Sequence, residues 1–267
     1  MHKSESGPRY SPAKYNLPLA HPAFEIEPAQ EYELTRMAQF VFSKLETAIW
    51  NIQTQILDPN LEIFKKVKLM TEAIKNVWPE HDGDLIKPRY TLSTTSLRPS
   101  PTITLRIEPL GEEGGIERER GSESMDGEIA IGLRKVLSAT TTEELNQAVH
   151  ALAEMIYHEI EHIKFRGARI DASVSGAEGS IAYLNNPGEI RSHAKQFAYK
   201  YQRYFPNKPF DIEKMRSICR TSKEINYFIS FADPEKQEKY RDIADISAIY
   251  RKIVEMTTQL VPFFYSA

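Results

Sequence analysis

His158-Glu159-Ile160-Glu161-His162 lies inside the stretch Thr141 to Phe165, TTEELNQAVHALAEMIYHEIEHIKF, and the reading of that stretch decides the fold. Leu145, Val149, Leu152, Ile156, Ile160 and Ile163 recur at steps of three and four, which is the apolar stripe of a core helix. Thr141 and Glu144 stand in the S/T-x-x-E spacing of a capping box just ahead of the stripe. Gly167 is a plausible terminator beyond it. The spacing predicts one long helix from Thr141 to about Phe165, with its histidines beside the buried stripe.

The two histidines form the pattern H-E-x-x-H. Residues four apart project from one helix face, so both imidazoles can close on one zinc ion. Glu159 follows the first histidine and leans over the same position, where a carboxylate can take a proton from a water held at the metal. That is the chemistry of hydrolysis. The alternative at the same spacing is a pair of ordinary surface histidines, or core histidines bonded to backbone.

A catalytic zinc usually has three protein ligands and one open position, so a third ligand should follow. One extension of the pattern, H-E-x-x-H-x-x-G-x-x-H, needs glycine at 165 and histidine at 168; Phe165 and Ala168 exclude it. A glutamate from the next helix is the other arrangement, and Asn185-Asn186-Pro187-Gly188-Glu189 supplies one. Asn186 as N-cap, Pro187 at the first helical position and Glu189 at the third also make a self-sufficient helix start, which would explain the glutamate without a metal. Asp171, Glu178 and His193 compete for the third place. His193 is the strongest of them: one turn beyond Glu189 on the same face, it could be a ligand, a partner that orients Glu189, or a donor to the transition state.

At these residues the chain resembles the zincin metallopeptidases, and more narrowly the gluzincin type, in which H-E-x-x-H is followed by a glutamate on a later helix. The resemblance covers roughly Gly127 to Tyr204. It implies His158, His162 and Glu189 as zinc ligands and Glu159 as general base. Many gluzincins carry an aspartate four residues after the ligand glutamate, buttressing a ligand histidine; here His193 stands in that place. The Asn-Pro-x-Glu entrance is also similar to small zincin-like proteins encoded by bacteria and their phages.

Upstream of the helix, Gly127 to Leu133 alternates as a short strand. In zincins such a strand forms the sheet edge and pairs with an extended peptide substrate; an internal strand with no ligand is the alternative. Between Arg89 and Leu133 the texture is Thr, Ser, Pro and short β-rich runs such as Thr102 to Ile107, and this stretch is expected to form the sheet. Gly111 to Gly115 and Glu117 to Ser122 read as charged, solvated turns.

Ala29 to Leu57 is helix-periodic through Tyr32, Met37, Phe40, Val41, Leu45, Ile49, Ile52 and Ile56, and Leu61 to Val77 reads as a second helix closed by Pro79. Pro187 to Tyr204, Asp211 to Phe231 and Pro234 to about Leu260 are expected helices, the last capped by Asp233. Tyr199, Tyr201, Tyr204 and Phe205 read as core and helix contacts. The fold class is α+β and zincin-like: a small sheet on a long active-site helix with an α-helical C-terminal part. Residues 1–28, which contain five prolines, form an extended arm that could cover the cleft. Residues 29–267 form the metallopeptidase domain, helical over 29–79, sheet over 80–135, zinc-site helices over 141–204 and further helices over 211–265.

With 267 residues and 41% hydrophobic content the chain can bury a sizeable core. A net charge of -3 gives no general attraction to nucleic acid or anionic membrane. The one cysteine, Cys219, cannot form an intrachain disulfide and reads as a small buried hydrophobe. Residues 1–20 lack a basic start followed by an apolar core, and no run approaches the roughly 20 apolar residues of a membrane span, so a cytoplasmic protein is expected. Two functions fit these features. One is a Zn2+-dependent peptidase acting on a peptide or protein substrate. The other is a non-catalytic structural or binding protein on the same scaffold, with zinc serving only stability. Glu159 favours the first, because a structural site has no need of that carboxylate and usually closes its fourth position with another protein ligand.

Overall fold

The structure, a computed structural model, describes residues 20, 24–78, 82–83, 88–93, 102–111, 115–117, 127–162, 187–219 and 246–265. The chain falls into two compact units, one of residues 27–167 with 266–267, the other of residues 1–26 with 168–265.

In the first unit the sequence pattern around 141 becomes helix α5, and the elements ahead of it are α1 (Pro28–Asn51), α2 (Gln53–Ile56), α3 (Ile63–Val77), β1 (Asp82–Gly83), β2 (Pro88–Ser93), β3 (Thr102–Glu108), β4 (Gly115–Glu117), β5 (Gly127–Gly132) and α4 (Arg134–Leu137). Helix α5 itself spans Thr142–Glu161, with Thr141 as N-cap and His162 as C-cap. Leu145, Val149, Leu152, Ile156 and Ile160 are all buried, as the stripe requires. Ile163 and Gly167 lie outside the described residues.

The cap differs from a reciprocal box in one respect. Glu144 N donates to Thr141 Oγ1 at 3.1 Å, but the Glu144 carboxylate reaches one residue further back, accepting from Thr140 N at 2.8 Å and Thr140 Oγ1 at 2.7 Å. The Thr140 backbone N–H, then its hydroxyl, hold the Glu144 carboxyl below its ordinary value of 4.5. A carboxylate whose pKa is lower folded than unfolded stabilises the fold above the unfolded value, and that contribution is lost as pH falls through the folded value. Glu144→Gln, which stands for the protonated form, should therefore melt below wild type near neutral pH, with the two midpoints converging in acid below 4.5. Thermal melts across that range check it; a gap that stays constant in acid rejects the carboxylate's role.

The sheet runs β1-β2-β3-β5-β4, with β3 and β5 parallel and the other pairs antiparallel. Strand β5 is thus internal. Ile103 to Glu108 of β3 pair with Gly127 to Gly132 on one side, and Gly115, Ile116 and Glu117 of β4 pair with Ala130, Ile129 and Glu128 on the other. Of the two places the sequence left open for Gly127 to Leu133, sheet edge or interior, strand β5 takes the interior, and the pairing of a peptide along it falls away because its hydrogen-bonding groups already serve two neighbours. Gly115 and Glu117, which the sequence places in two charged turns, instead join Ile116 in β4, the strand that covers this edge. Gly111 explains how the strand feeds the site helix: a Cβ there would meet Glu108 Cβ at 3.0 Å and Gly132 Cα at 3.1 Å. That close approach lets Leu133 N donate to Glu108 O and Arg134 N to Gly111 O, both at 3.1 Å, fixing the entry to α4 and then α5.

Helix α1 packs on α3 and α5, and α5 also meets α4 and β5. The face of α1 is shifted from the expected one. Leu34, Ala38, Val41, Leu45, Ala48 and Ile49 are buried, whereas Tyr32 and Phe40 are exposed. Leu34, Ala38, Val41, Leu45 and Ala48 follow steps of four and three, a continuous stripe that the bulkier aromatics outweigh in a hydrophobicity count. The helix breaks at Ile52 before the short α2. Lys66 Nζ donates to Ile56 O at the end of α2, and Lys44 Nζ to Val77 O at the end of α3, so each carboxyl-terminal carbonyl meets an ammonium.

The second unit contains α6 (Pro187–Tyr204), α7 (Ile212–Cys219), α8 (Ile246–Leu260) and a 3-10 turn at Val261–Phe264. Its core joins Ile190, Ala194, Phe197, Ala198 and Tyr201 of α6 to Met215, Ile249, Ile253, Met256, Leu260 and Val261, with Phe24 from the N-terminal region. Tyr201 is fully buried and donates from its hydroxyl to Pro209 O at 2.6 Å, while Tyr204 is exposed. Asp211 Oδ1 caps α7 through Glu213 N and Lys214 N. The expected Asp233-Pro234 start, the stretch from 220 to 231, and most of the proline-containing arm lie outside the described residues. The α+β class holds: the described residues are mostly helical with one small mixed sheet. Among the described residues no helix is long and apolar enough to cross a membrane.

Candidate metal centre

The last turn of α5 carries His158 and, at its C-cap, His162, both half-buried. Their side chains converge: Nε2 of one lies 3.1 Å from Nε2 of the other, and the rings meet edge to face at 4.9 Å and 73°. Two nitrogens bound to one tetrahedral ion at about 2.0–2.1 Å lie about 3.3 Å apart. The helix therefore sets the imidazoles almost at the separation a shared metal requires. A hydrogen bond between the two Nε2 atoms has the same length, provided one ring lacks a proton there.

Glu189 is the third residue of α6, in its first turn, and is 1% exposed. A capping-box glutamate normally faces solvent, whereas a carboxylate shielded to this degree keeps its charge only beside a cation or strong donors. Its neighbour Arg191, equally buried, donates from Nη1 to the Glu25 carbonyl at 2.9 Å. Asn186, the other member of the capping reading, lies outside the described residues. His158 and His162 in the first unit and Glu189 in the second each offer one ligand atom of a kind that can hold a metal ion. The donor set, two imidazole nitrogens and one carboxylate oxygen, suits a divalent transition ion.

Glu159 is 8% exposed, beside the first histidine. His193 is half-buried, with its ring 6.4 Å from that of Phe197, and is not a member of the group of three. Asp171 and Glu178, the remaining competitors for the third place, lie outside the described residues. What sequence reasoning missed is the burial of further charges on the two helices: Glu154 and Glu161 on α5, Arg191 and Lys195 on α6. A signal for Glu154 was available, since His150, Glu154, His158 and His162 follow one another at steps of four along one helix. No known protein family matches the chain, and neither a curated protein nor a solved structure matches it.

Proposed function

We propose that the protein is a zinc-dependent peptidase of gluzincin type, built on a zincin-like fold. The observation that carries this reading is the convergence of the His158 and His162 Nε2 atoms at 3.1 Å on a helix whose intervening residues include a shielded glutamate, Glu159. His158, His162 and Glu189 hold the ion. Zinc, when bound, supplies a Lewis acid that polarises the scissile carbonyl and acidifies water. Glu159 takes the proton of the attacking water and passes it to the leaving amine, which frees the product. Its low exposure keeps bulk water from competing for that proton and strengthens its electrostatic effect. The substrate is a peptide or protein.

The test is zinc content of the purified chain together with hydrolysis of a broad peptide library by native and zinc-stripped protein. Cleavage that disappears with zinc and returns on its restoration is the expected result. Zinc bound without any cleavage moves the protein to the second reading, a binding or structural component on the same scaffold.

Glu189→Gln tests the third ligand separately. As a ligand, its loss should weaken zinc binding about 10-fold or more, whereas loss of a capping partner alone should cost about 1 kcal/mol of stability and leave affinity unchanged. Competition with a chromophoric chelator measures the affinity, and a denaturation midpoint measures the stability. Native affinity in Glu189→Gln with loss in His193→Ala transfers the role to His193.

A further inference from the structure

Within the second unit, residues Phe24 to Ile26 pack against α6, the helix that carries Glu189. Phe24 is 3% exposed and belongs to the core cluster of Ile190, Ala194, Phe197 and Tyr201, and Ile26 packs against that cluster. Glu25 between them turns its side chain to solvent, the alternation of an extended segment. Its carbonyl accepts from Arg191 Nη1 at 2.9 Å, a charge-assisted bond between residues 166 apart in the chain. Arg191 is 1% exposed, so its end of that bond is shielded from bulk water, where the bond is stronger and its loss costs more. Ile190 and Arg191 directly follow Glu189, and successive helical residues point about 100° apart. Held on these two faces, the first turns of α6 can neither rotate nor slide, and the direction of the Glu189 side chain is set with them.

We propose that the segment Phe24 to Ile26 is a strap that positions Glu189: Phe24 and Ile26 anchor it in the core of the second unit, and Arg191, gripping the Glu25 carbonyl, ties the first turns of α6 to it. The hold on the helix stands on these contacts; its consequence for metal rests on the peptidase reading. Glu189 lies in the first turn, where backbone N–H groups lack partners within the helix and the ends fray first. A ligand in that position keeps its aim only if groups outside the helix hold the turn. The last residues before α1 thus support the helix of the candidate third ligand, a role distinct from covering the cleft.

The experiment is amide hydrogen exchange in the metal-free full-length chain, read at positions 191 to 193, whose N–H groups bond back to the first turn of a helix that starts at Pro187. Phe24→Ala should speed exchange there by about 10-fold or more while α5 and α8 keep nearly wild-type rates, and Phe24→Leu, which refills the apolar place, should restore it. Arg191→Met should loosen the same amides, and Arg191→Lys, which returns the charge and a donor, should recover part of the protection. Glu25→Ala should change nothing, because the strap offers its carbonyl and not its carboxylate. Ile26→Ala, a smaller cut in the same segment, carries the test should Phe24→Ala fail to fold. In zinc-loaded protein, Phe24→Ala should weaken zinc by about 10-fold in chelator competition. Unchanged exchange in Phe24→Ala and Arg191→Met overturns the proposal, as does a loss in Glu25→Ala, or one spread equally over α6, α7 and α8, which would make Phe24 ordinary core. Zinc held as tightly by Phe24→Ala as by wild type, with the helix start loosened, overturns the positioning of Glu189. A wild type that binds no zinc while the exchange pattern holds sinks the peptidase reading and keeps the strap.

Discussion

Purified wild-type protein should carry about one equivalent of zinc, and His158→Ala or His162→Ala should carry almost none. The expectation rests on geometry: in the proposed centre each imidazole would supply one of three protein donors, and the Nε2 atoms already stand 3.1 Å apart, so the two rings need little reorganisation before binding. With one ring removed, the remaining histidine and carboxylate must hold the ion with two donors, and zinc of ordinary affinity dissociates during desalting. Elemental analysis after gel filtration measures the content. Both histidines are only half-buried and flank the apolar stripe, so the helical circular dichroism of the variants should stay close to that of wild type. Full zinc content in both variants, with folding intact, removes the two histidines from the metal and the proposed mechanism with them.

How far the sequence announced this arrangement depends on how local each signal is. The α5 helix was legible because its evidence lies within one stretch: the Thr141 cap, the stripe from Leu145 to Ile160, and the histidine spacing all report on the same backbone. Even there the Glu144 carboxylate bonds chiefly to Thr140, with the Thr141 backbone N–H a lesser partner, since a flexible carboxylate selects whichever donors the preceding turn presents. The face of α1 was misplaced because Tyr32 and Phe40 are apolar without being covered, and which of two overlapping stripes is buried is decided by the partner helices α3 and α5. The internal place of β5 was illegible for a similar reason. Alternation reports which faces a strand presents, and carries no information about whether β4, ten residues upstream in chain order, folds back to cover its hydrogen-bonding edge. Glu189 could be singled out from its helix start, but its shielding from water, and that of Glu154, are products of packing. On a helical wheel Glu189 is an ordinary polar residue, and Glu154 is marked only by its place in the series His150, Glu154, His158 and His162.

Glu159→Gln should retain zinc and fold as wild type does, while peptide hydrolysis falls by a factor on the order of 10² to 10⁴, the usual worth of a positioned general base. The glutamine keeps the size of the side chain and one acceptor oxygen, so the 8% exposed position stays filled and hydrogen-bonded, but it cannot take the proton of the attacking water. Because Glu159 is not among the proposed ligands, the loss should appear in kcat with zinc affinity unchanged, the opposite of the histidine variants. The comparison needs rates on a broad peptide library for wild type, Glu159→Gln and zinc-stripped protein. A structural zinc site predicts no difference among the three. If wild type cleaves nothing that Glu159→Gln does not, while both bind zinc, hydrolysis is not the work of this centre. One further arm closes that conclusion: a chain shortened to begin at Ala20 removes most of the proline-containing arm ahead of Phe24, which packs with the core of the second unit, and cleavage appearing only in that form would identify the arm as what had kept the centre silent.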